Sequence, residues 1–415
     1  MVNTKNRYIN NFDFDIKTYQ NIKHKYEPNS ICEMPVKWSK AKDFNVYDDK
    51  GNKWIDMTSG IFVTNAGHSN PVINDAIKNQ VDSGLIFAYQ YNTDIRIEFI
   101  EKLLEISPSH FNKVVLLNSG SEATDAAYRL IKLWAKKNNR KYIVVFTGNY
   151  HGRVLSSELM CGTSTSTDWS NIKDTEIWFL PFPKDDDELD VNDLPPLDEI
   201  ASFFLETYQG WGAWFYPQKY IDKLYQISRD NNILFCFDEV QSGFYRMGTL
   251  YGYQTYGNYE PDIITIAKGM TSSLPLSAVL SNKDIIDVDM KANLSSTHAG
   301  NAICCAAGLA NLDYLTNDDF QRDFQERIIL FEKLNKELEN EGGVEVVNVK
   351  GMVSAIIVKD GDMGDYVTEY CVKNGVITVW TKRESVKLGP PLTISTDAIV
   401  ESMDVIKEAI RSYNG

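Results

Sequence analysis

The sequence predicts an α/β protein in which a large domain with a mostly parallel sheet precedes a smaller C-terminal α/β domain. Between about residues 110 and 300, short apolar runs alternate with helical patterns; the runs are KVVLLNSG, KYIVVFTG, ASFFLE, ILFCFDEV, DIITIAK and SAVLS. Such runs are typical of strands buried on both faces of a parallel sheet. After Asn317, a long charged helical pattern is followed by two strand patterns, VEVVNVKG and MVSAIIVKD, and by a final helix from about Thr396.

The chain is long enough for more than one domain. Its 415 residues exceed the roughly 100 to 200 that are usual for one domain. We therefore predict three parts: an N-terminal segment at 1–60 that packs with the small domain, the large domain at 61–316 and the small domain at 317–415.

Composition limits the partners and the compartment. The chain has 42 Lys and Arg against 57 Asp and Glu, which gives a net charge of −15. Because phosphate contacts need clustered cations, nucleic acid is not an expected partner. No apolar stretch approaches the roughly 18 to 20 residues of a membrane helix, and no secretory leader is visible at the N-terminus. We expect a cytoplasmic protein without membrane contact.

The cysteines predict neither a disulfide framework nor a metal site. Their spacing matches no metal-ligand pattern, and two of them are adjacent, which makes a bridge between those two difficult. We expect reduced thiols that mostly fill the core. The six are Cys32, Cys161, Cys236, Cys304, Cys305 and Cys371.

The first candidate site is the segment NSGSE at 118–122, which follows a predicted strand and opens a predicted helix. Free N–H groups and the positive end of the helix dipole attract an anion there. Gly120 permits close approach and Ser121 adds a hydroxyl donor, so the pattern predicts a phosphate site. The alternative is a capping box between Ser119 and Glu122, which needs no ligand.

Three further candidates follow other predicted strands. Asp238 lies at the carboxyl end of ILFCFDEV, where ligands collect in α/β sheets. Lys268 follows DIITIA, and a lysine in a partly apolar pocket has a lowered pKa and acts as an amine nucleophile. Tyr150, in YHGR at 150–153, offers a ring that can stack on a planar cofactor. The alternatives are a salt-bridged or capping Asp, a solvated surface Lys and a structural aromatic residue.

These segments together resemble the class III pyridoxal-phosphate aminotransferases of fold type I. The resemblance runs almost from end to end of the chain. It includes GNKWID at 51–56, GHSNP at 67–71, DEVQSGF at 238–244, AKG at 267–269, THAGN at 297–301 and PPL at 390–392.

The resemblance implies that the large domain binds pyridoxal 5'-phosphate and that two residues are catalytic at the cofactor. Lys268 is implied to hold the cofactor through a Schiff base and to move a proton once it is displaced. Asp238 is implied to pair with the ring nitrogen; a carboxylate keeps that nitrogen protonated, which makes the ring an electron sink.

The resemblance also implies contacts around the cofactor. Gly120 and Ser121 are implied to hold the phosphate, Tyr150 to stack on the ring, and Gln241 to approach its phenolic oxygen. Thr297 is implied to reach the phosphate of the neighbouring subunit. The implied assembly is a homodimer with sites built from both chains.

Two departures from the family pattern concern the substrate. Glu206 matches the glutamate of the family's Glu-Pro pair, although the next residue here is Thr207. The resemblance implies that Glu206 is a third catalytic residue, which gates a carboxylate-binding arginine. The arginine itself is replaced by Lys387. Arg grips a carboxylate through two parallel N–H bonds, whereas Lys offers a point charge. Arg383 is a candidate to compensate, and Trp211 belongs to an aromatic segment expected to contact substrate.

The resemblance predicts an aminotransferase that moves an amino group from an amino donor, such as an amino acid, to a carbonyl acceptor. The change to Lys387 and the aromatic segment at 208–214 suggest a sugar-like aldehyde or ketone as the acceptor. An amino-acid racemase or epimerase with the same cofactor is the alternative. A non-catalytic binding module is disfavoured because Lys268 and Asp238 are both present.

Overall fold

The computed structural model describes residues 6–20, 28, 34–162, 168–184 and 187–414. Cys32 lies outside this part of the chain. The chain divides into two compact units. Unit 1 consists of Met1–Asn70, Trp211–Ala213 and Asp318–Gly415, and unit 2 consists of Pro71–Gly210 and Trp214–Asn317. The domain boundaries at residues 60 and 316 stay a prediction.

The described helices and strands alternate along most of the chain. The helices are α1 (Ile16–Gln20), α2 (Ser59–Phe62), α3 (Pro71–Asp82), α4 (Asp94–Ile106), α5 (Gly120–Lys137), α6 (Leu155–Leu159), α7 (Gln218–Asp230), α8 (Lys283–Ile286), α9 (Ala302–Leu315), α10 (Asp318–Glu337), α11 (Gly361–Lys373) and α12 (Thr396–Ser412). The strands are β1 (Lys40–Lys42), β2 (Asn45–Tyr47), β3 (Lys53–Asp56), β4 (Lys113–Leu117), β5 (Tyr142–Phe146), β6 (Ile177–Leu180), β7 (Ile200–Glu206), β8 (Leu234–Asp238), β9 (Ile263–Ile266), β10 (Ser277–Ser281), β11 (Val344–Lys350), β12 (Val353–Val358), β13 (Val376–Ile377), β14 (Val379–Trp380) and β15 (Ser385–Leu388).

Unit 2 contains a seven-stranded sheet in the order β4-β10-β9-β8-β7-β5-β6. Only β10 pairs antiparallel with its neighbours, so the predicted mostly parallel sheet is confirmed. The six apolar runs of the sequence correspond to β4, β5, β7, β8, β9 and β10. Burial on both faces of the central strands explains their unbroken apolar sequences.

Helix α5 packs its apolar face on this sheet. Its sequence is rich in residues that favour helices, and a capping box at Ser119 and Glu122 fixes its start. Ala127, Leu130 and Ile131 are fully buried in the core. Burying a side chain such as Leu or Ile contributes about 1.5 to 3 kcal/mol. The helix therefore holds its N-terminus firmly at the carboxyl end of β4.

The central strands bring polar residues to one edge of the sheet. In the parallel register, Glu206 on β7 is opposite Asp238 on β8, and Asp238 is opposite Thr265 on β9. Because parallel strands end at the same edge, their terminal residues form one row. This row is the foundation of the candidate site.

Unit 1 contains two four-stranded sheets, β1-β2-β3-β13 and β11-β12-β15-β14. In the first, β13 pairs parallel with β3 and the other pairs are antiparallel. The second is antiparallel throughout. The charged helix, the two strands after it and the final helix predicted from the sequence correspond to α10, β11, β12 and α12.

The described residues include no membrane-spanning helix, no metal-binding cluster and no disulfide. No helix in that part of the chain is long and apolar enough to cross a membrane. The same residues contain no group of three His, Cys, Asp or Glu side chains arranged to hold a metal ion. The five described cysteines are free thiols, and all are buried.

Candidate active site

Asp238 is the centre of the polar row in unit 2. Its side chain is almost fully buried. One carboxylate oxygen, Oδ2, lies 2.8 Å from Nδ1 of His151. The other, Oδ1, accepts hydrogen bonds from the Val240 N–H at 3.0 Å and the Thr265 hydroxyl at 3.1 Å. Three neighbours therefore fix the orientation of this carboxylate in a site with little water.

His151 was not assigned a role from the sequence. Because the Asp238 carboxylate accepts hydrogen bonds, Nδ1 of His151 carries the proton. The ring also packs edge-on against Phe204, with centroids 4.9 Å apart. Its other nitrogen, Nε2, is buried and has no hydrogen-bond partner among the described residues. The sequence signal was its position directly after Tyr150, in the loop that follows β5.

Lys268 lies two residues beyond β9 and is half-buried. Its backbone is left-handed, with φ of 42°, a conformation that non-glycine residues adopt at a cost and that recurs at functional sites. Removal of the ammonium from water lowers the pKa of Lys268 to about 8, although the charges of Asp238 and Glu206 act in the opposite direction. Roughly a tenth of the side chain is therefore a neutral, nucleophilic amine at about pH 7, and about half at pH 8.

Glu206 is the last residue of β7 and is 3% exposed. Its Oε2 accepts the N–H of Tyr150 at 2.9 Å and the N–H of Gly210 at 3.3 Å. Burial raises the pKa of Glu206, and the negative charge of Asp238 acts in the same direction, whereas His151 opposes the shift. The carboxyl group therefore retains its proton to a higher pH than an exposed glutamate does.

Thr207 stands where the family pattern has proline, and its hydroxyl has a defined contact. It donates to Oε1 of the fully buried Glu239 at 2.7 Å. Glu239 also accepts the hydroxyl of Ser242 and the N–H groups of Gly252 and Tyr253, at 2.6 to 2.7 Å. These four donors compensate a buried carboxyl group and tie the chain after β7 to the segment after β8.

The N-terminus of α5 contains both features that the sequence left open. The capping box is present: the Glu122 N–H donates to the Ser119 hydroxyl at 3.2 Å, and Glu122 Oε2 accepts the Ser119 N–H at 2.8 Å. Nothing in the described chain accepts from the N–H groups of Gly120 and Ser121. The capping box and an anion site at this helix end are therefore compatible.

Gly152 lets the loop after β5 approach this helix end. Its φ is 128°, and a Cβ added there would lie 2.3 Å from Oγ of Ser121. The same hydroxyl oxygen accepts the N–H of Arg153 at 3.1 Å. A side chain at position 152 would close this approach.

The other predicted cofactor residues of unit 2 are at or near its surface. Tyr150 is 45% exposed, and the guanidinium of Arg153 lies 5.9 Å from its ring centroid. Gln241 is half-buried and Thr297 is exposed. Their roles toward a ligand stay predictions.

Two predicted substrate residues of unit 1 have their cations against aromatic rings. Lys387 is buried on β15, and its Nζ lies 4.4 Å from the ring centroid of Phe62. Arg383 is exposed, and its guanidinium lies 5.1 Å from the ring of Trp211. Neither aromatic contact was predicted from the sequence.

Phe62 ends an unusual turn, the segment α2, in which four consecutive residues are left-handed. Their φ angles are 46°, 63°, 61° and 68° from Ser59 to Phe62. This conformation costs about 1 to 2 kcal/mol for each non-glycine residue. Thr58 caps the turn through the N–H of Gly60 at 3.1 Å, and the Ser59 hydroxyl donates to the Gly389 carbonyl at 2.7 Å. These contacts hold a strained backbone in place.

Comparison with known proteins gives a consistent set of relatives. The family model described as "Aminotransferase class-III" matches residues 26–410. The ornithine aminotransferase of Plasmodium yoelii yoelii is 30% identical over 96% of this chain and 98% of its own length. The acetylornithine aminotransferase of Methanothermobacter thermautotrophicus is 28% identical over 94% and 97%. A solved structure of the Toxoplasma gondii ornithine aminotransferase, whose description reports partial occupancy of PLP, has a TM-score of 0.83 at 23% identity and covers 93% of this chain and 92% of that one. This likeness shows the fold.

Proposed function

We propose, from the premise that this chain belongs to the class III aminotransferase family, that it moves an amino group from an ornithine-like amino acid to a carbonyl acceptor. Enzymes of this family depend on pyridoxal phosphate. One observation carries the proposal: Lys268, an amine with a lowered pKa, lies just beyond β9, and Asp238, an oriented carboxylate, ends the neighbouring strand.

The residues of unit 2 fit the parts of this cofactor. An amine suits its aldehyde, and a buried carboxylate suits its ring nitrogen. The loop at Gly152, which has no room for a side chain, and the N–H groups of Gly120 and Ser121 suit its phosphate. Tyr150 offers a ring face, and Gln241 offers an amide for the phenolic oxygen.

Pyridoxal phosphate supplies an aldehyde for the amino group and a ring that accepts the electron pair released at the reacting carbon. Lys268 is the residue that would hold the cofactor. The Nζ of Lys268 would take the proton from the substrate carbon that bears the amino group and would be the donor when that proton is given back. A lowered pKa suits this exchange, since the amine must accept and release a proton near neutral pH.

Asp238 would place its carboxylate at the ring nitrogen, and His151 holds that carboxylate in place. The hydrogen bonds from Val240 and Thr265 use the oxygen that His151 does not. We assign His151 as a positioning residue, because it acts through Asp238.

The proposed donor follows the names of the relatives, which act on ornithine and acetylornithine. We propose that Lys387 contacts an oxygen of a substrate, with Glu206, Arg383 and Trp211 as further candidates for substrate contact. None of the relatives named above supports the sugar-like acceptor that Lys387 suggested, and none favours the racemase alternative.

We further propose a cytoplasmic homodimer in which Thr297 of one chain serves the phosphate of the other. The side chain of Thr297 is exposed, which agrees with a contact to another chain. Mixed dimers of Thr297→Val chains with Lys268→Ala chains should have one intact site and recover up to half of the activity. If mixed dimers are as inactive as Lys268→Ala alone, sites are not shared in this way.

The function is tested by mixing the cofactor-loaded protein with L-ornithine, N-acetyl-L-ornithine and an alkylamine without a carboxylate. We expect the absorbance of the lysine-bound cofactor to fall with an ornithine-type donor and to return when a carbonyl acceptor is added. A racemase would regain the absorbance without an acceptor. No loss of absorbance with any of the amines would contradict the proposal.

A further inference from the structure

We propose that Phe62 is a positioning residue for Lys387 and, through it, determines how the protein holds a carboxylate oxygen of its carbonyl substrate. The inference deepens the proposed function and rests on it, since it takes Lys387 as the substrate contact. All the residues that carry it belong to unit 1.

The first step is the contact between the ammonium and the ring. Nζ of Lys387 lies 4.4 Å from the ring centroid of Phe62, well within the roughly 6 Å over which an aromatic face attracts a cation. Lys387 is 4% exposed and Phe62 is 1% exposed. Such contacts are strongest away from water, and the flexible lysine side chain gains a fixed end point.

The second step is that the backbone is shaped around this ring. A Cβ added to Gly389 would lie 1.9 Å from Cε1 of Phe62 and 2.3 Å from Cδ1. Only glycine at position 389 leaves room for the ring in this place. The N–H of Gly389 donates to the Met57 carbonyl at 2.7 Å, which holds the two segments at this close distance.

The third step is the left-handed turn that ends at Phe62. Strain of this kind persists where the surrounding structure requires it, and it recurs at ligand-binding positions. Here the turn places one ring under one ammonium, and Gly389 clears the space. The strained turn and the missing Cβ together place the ring of Phe62 where it contacts Nζ of Lys387.

The chemical consequence concerns the kind of contact that Lys387 makes. The Lys387 ammonium has the ring on one side and, unlike a guanidinium, has no rigid fork of donors. It therefore contacts one oxygen of a substrate carboxylate, in contrast to the parallel pair of bonds that an arginine forms. Lowering the electron density of the Phe62 ring should weaken substrate binding without changing the chemistry at Lys268.

The test replaces Phe62 in the full cofactor-loaded chain with phenylalanine bearing one, two or three fluorines. Fluorine withdraws electron density from the ring face while nearly preserving ring shape, so a packing role would not follow the series. We expect the KM for 2-oxoglutarate to rise stepwise, to about threefold to tenfold with three fluorines, and kcat to stay within about twofold. The same substitution at Phe331, a buried ring of unit 1, is the matched control.

The same series in a Lys387→Met background separates action through Lys387 from a general structural effect. We expect fluorination to change KM there by less than about twofold. A KM that does not change with fluorination in the wild-type background, or that rises equally with and without Lys387, overturns the inference.

A second readout needs no substrate. Brief labelling with an amine-acylating reagent and mass spectrometry measure how reactive Lys387 is, and we expect its labelling to rise stepwise with fluorination while that of surface lysines stays constant. If the wild type transfers no amino group but the labelling follows the series, the proposed function fails and the positioning by Phe62 stands. If transfer occurs and neither KM nor labelling follows the series, the inference alone fails.

Discussion

Two lysines, Lys268 in unit 2 and Lys387 in unit 1, are each withdrawn from water, but by different surroundings. Lys268 has two carboxyl groups nearby, Asp238 and Glu206, which favour its charged form against the effect of burial. Lys387 lies on the face of Phe62. The first setting consists of groups that exchange protons, whereas the second includes a ring that does not titrate.

The difference assigns the two lysines to different tasks. A lysine among titratable groups at the ends of parallel strands is tuned in its reactivity. A lysine that contacts a ring held by a strained turn has a defined position for its ammonium group. Reactivity and position should therefore respond separately to substitution, and each prediction below tests one side of this comparison.

The largest effect is expected for Lys268→Ala. The variant lacks both the covalent attachment and the proton carrier, so turnover should fall by about four orders of magnitude or more. The fold should persist, because the side chain is only half-buried. Steady-state assays and thermal unfolding measure the two outcomes, with the exposed Lys283→Ala as the control. Amino transfer by the Lys268→Ala variant at even a tenth of the wild-type rate would show that Lys268 is not the reactive amine.

A smaller loss is expected for Asp238→Asn. An amide carries no charge to stabilise a protonated ring nitrogen, so kcat should fall by about 100- to 1,000-fold while some cofactor is retained. His151→Leu, which removes one of the three neighbours of Asp238, should lower kcat less. A larger loss of kcat in the His151 variant than in the Asp238 variant would show that His151 does not act only through Asp238.

The hydroxyl of Thr207 should contribute to stability. Thr207→Val keeps the shape and removes one of the four donors to the buried Glu239, so the free energy of unfolding should fall by about 1 to 3 kcal/mol. Thr207→Ser keeps the donor and is the matched control. Urea unfolding of both variants measures the difference. Equal stability of the valine and serine variants would show that Glu239 does not depend on this bond.

The lowered pKa of Lys268 predicts how cofactor capture depends on pH. The folded protein releases this proton at about 8, below the ordinary value of 10.5. The rate of covalent capture by cofactor-free protein should therefore rise by roughly fivefold between about pH 7 and pH 8 and level off above it. The same shift penalises the folded state below about 8, and the penalty is relieved as the pH rises from about 8 to 10.5. A capture rate that still rises steeply near pH 10 would assign Lys268 an ordinary pKa.

The sequence predicted the parallel sheet of unit 2 that carries Asp238 and Lys268. The central strands of unit 2 are buried on both faces, so their apolar runs are continuous, and residues directly after such runs must meet at one edge. Strand β6 was not predicted because Trp178 and Phe179 within it are partly exposed. His151 was missed because its bond to Asp238 joins positions 87 residues apart.

The aromatic surroundings of Lys387 were not predictable from the sequence. No sequence pattern predicts the left-handed turn at α2, because Gly60 is the only residue of that turn that favours the conformation. The fit of Phe62 beside Gly389 depends on segments brought together in the fold, as the Ser59 to Gly389 hydrogen bond across 330 residues shows. The replacement of arginine by Lys387 was visible, but its aromatic partner was not.

The central claim is that Lys268, and not Lys387, is the reactive amine. Borohydride reduction of the cofactor-loaded protein, followed by digestion and mass spectrometry, fixes the cofactor on whichever lysine holds it. We predict a pyridoxyl group on the peptide that contains Lys268 and none on the peptide that contains Lys387. A pyridoxyl group on Lys387, or its absence from Lys268 in protein that carries the cofactor, would contradict the account.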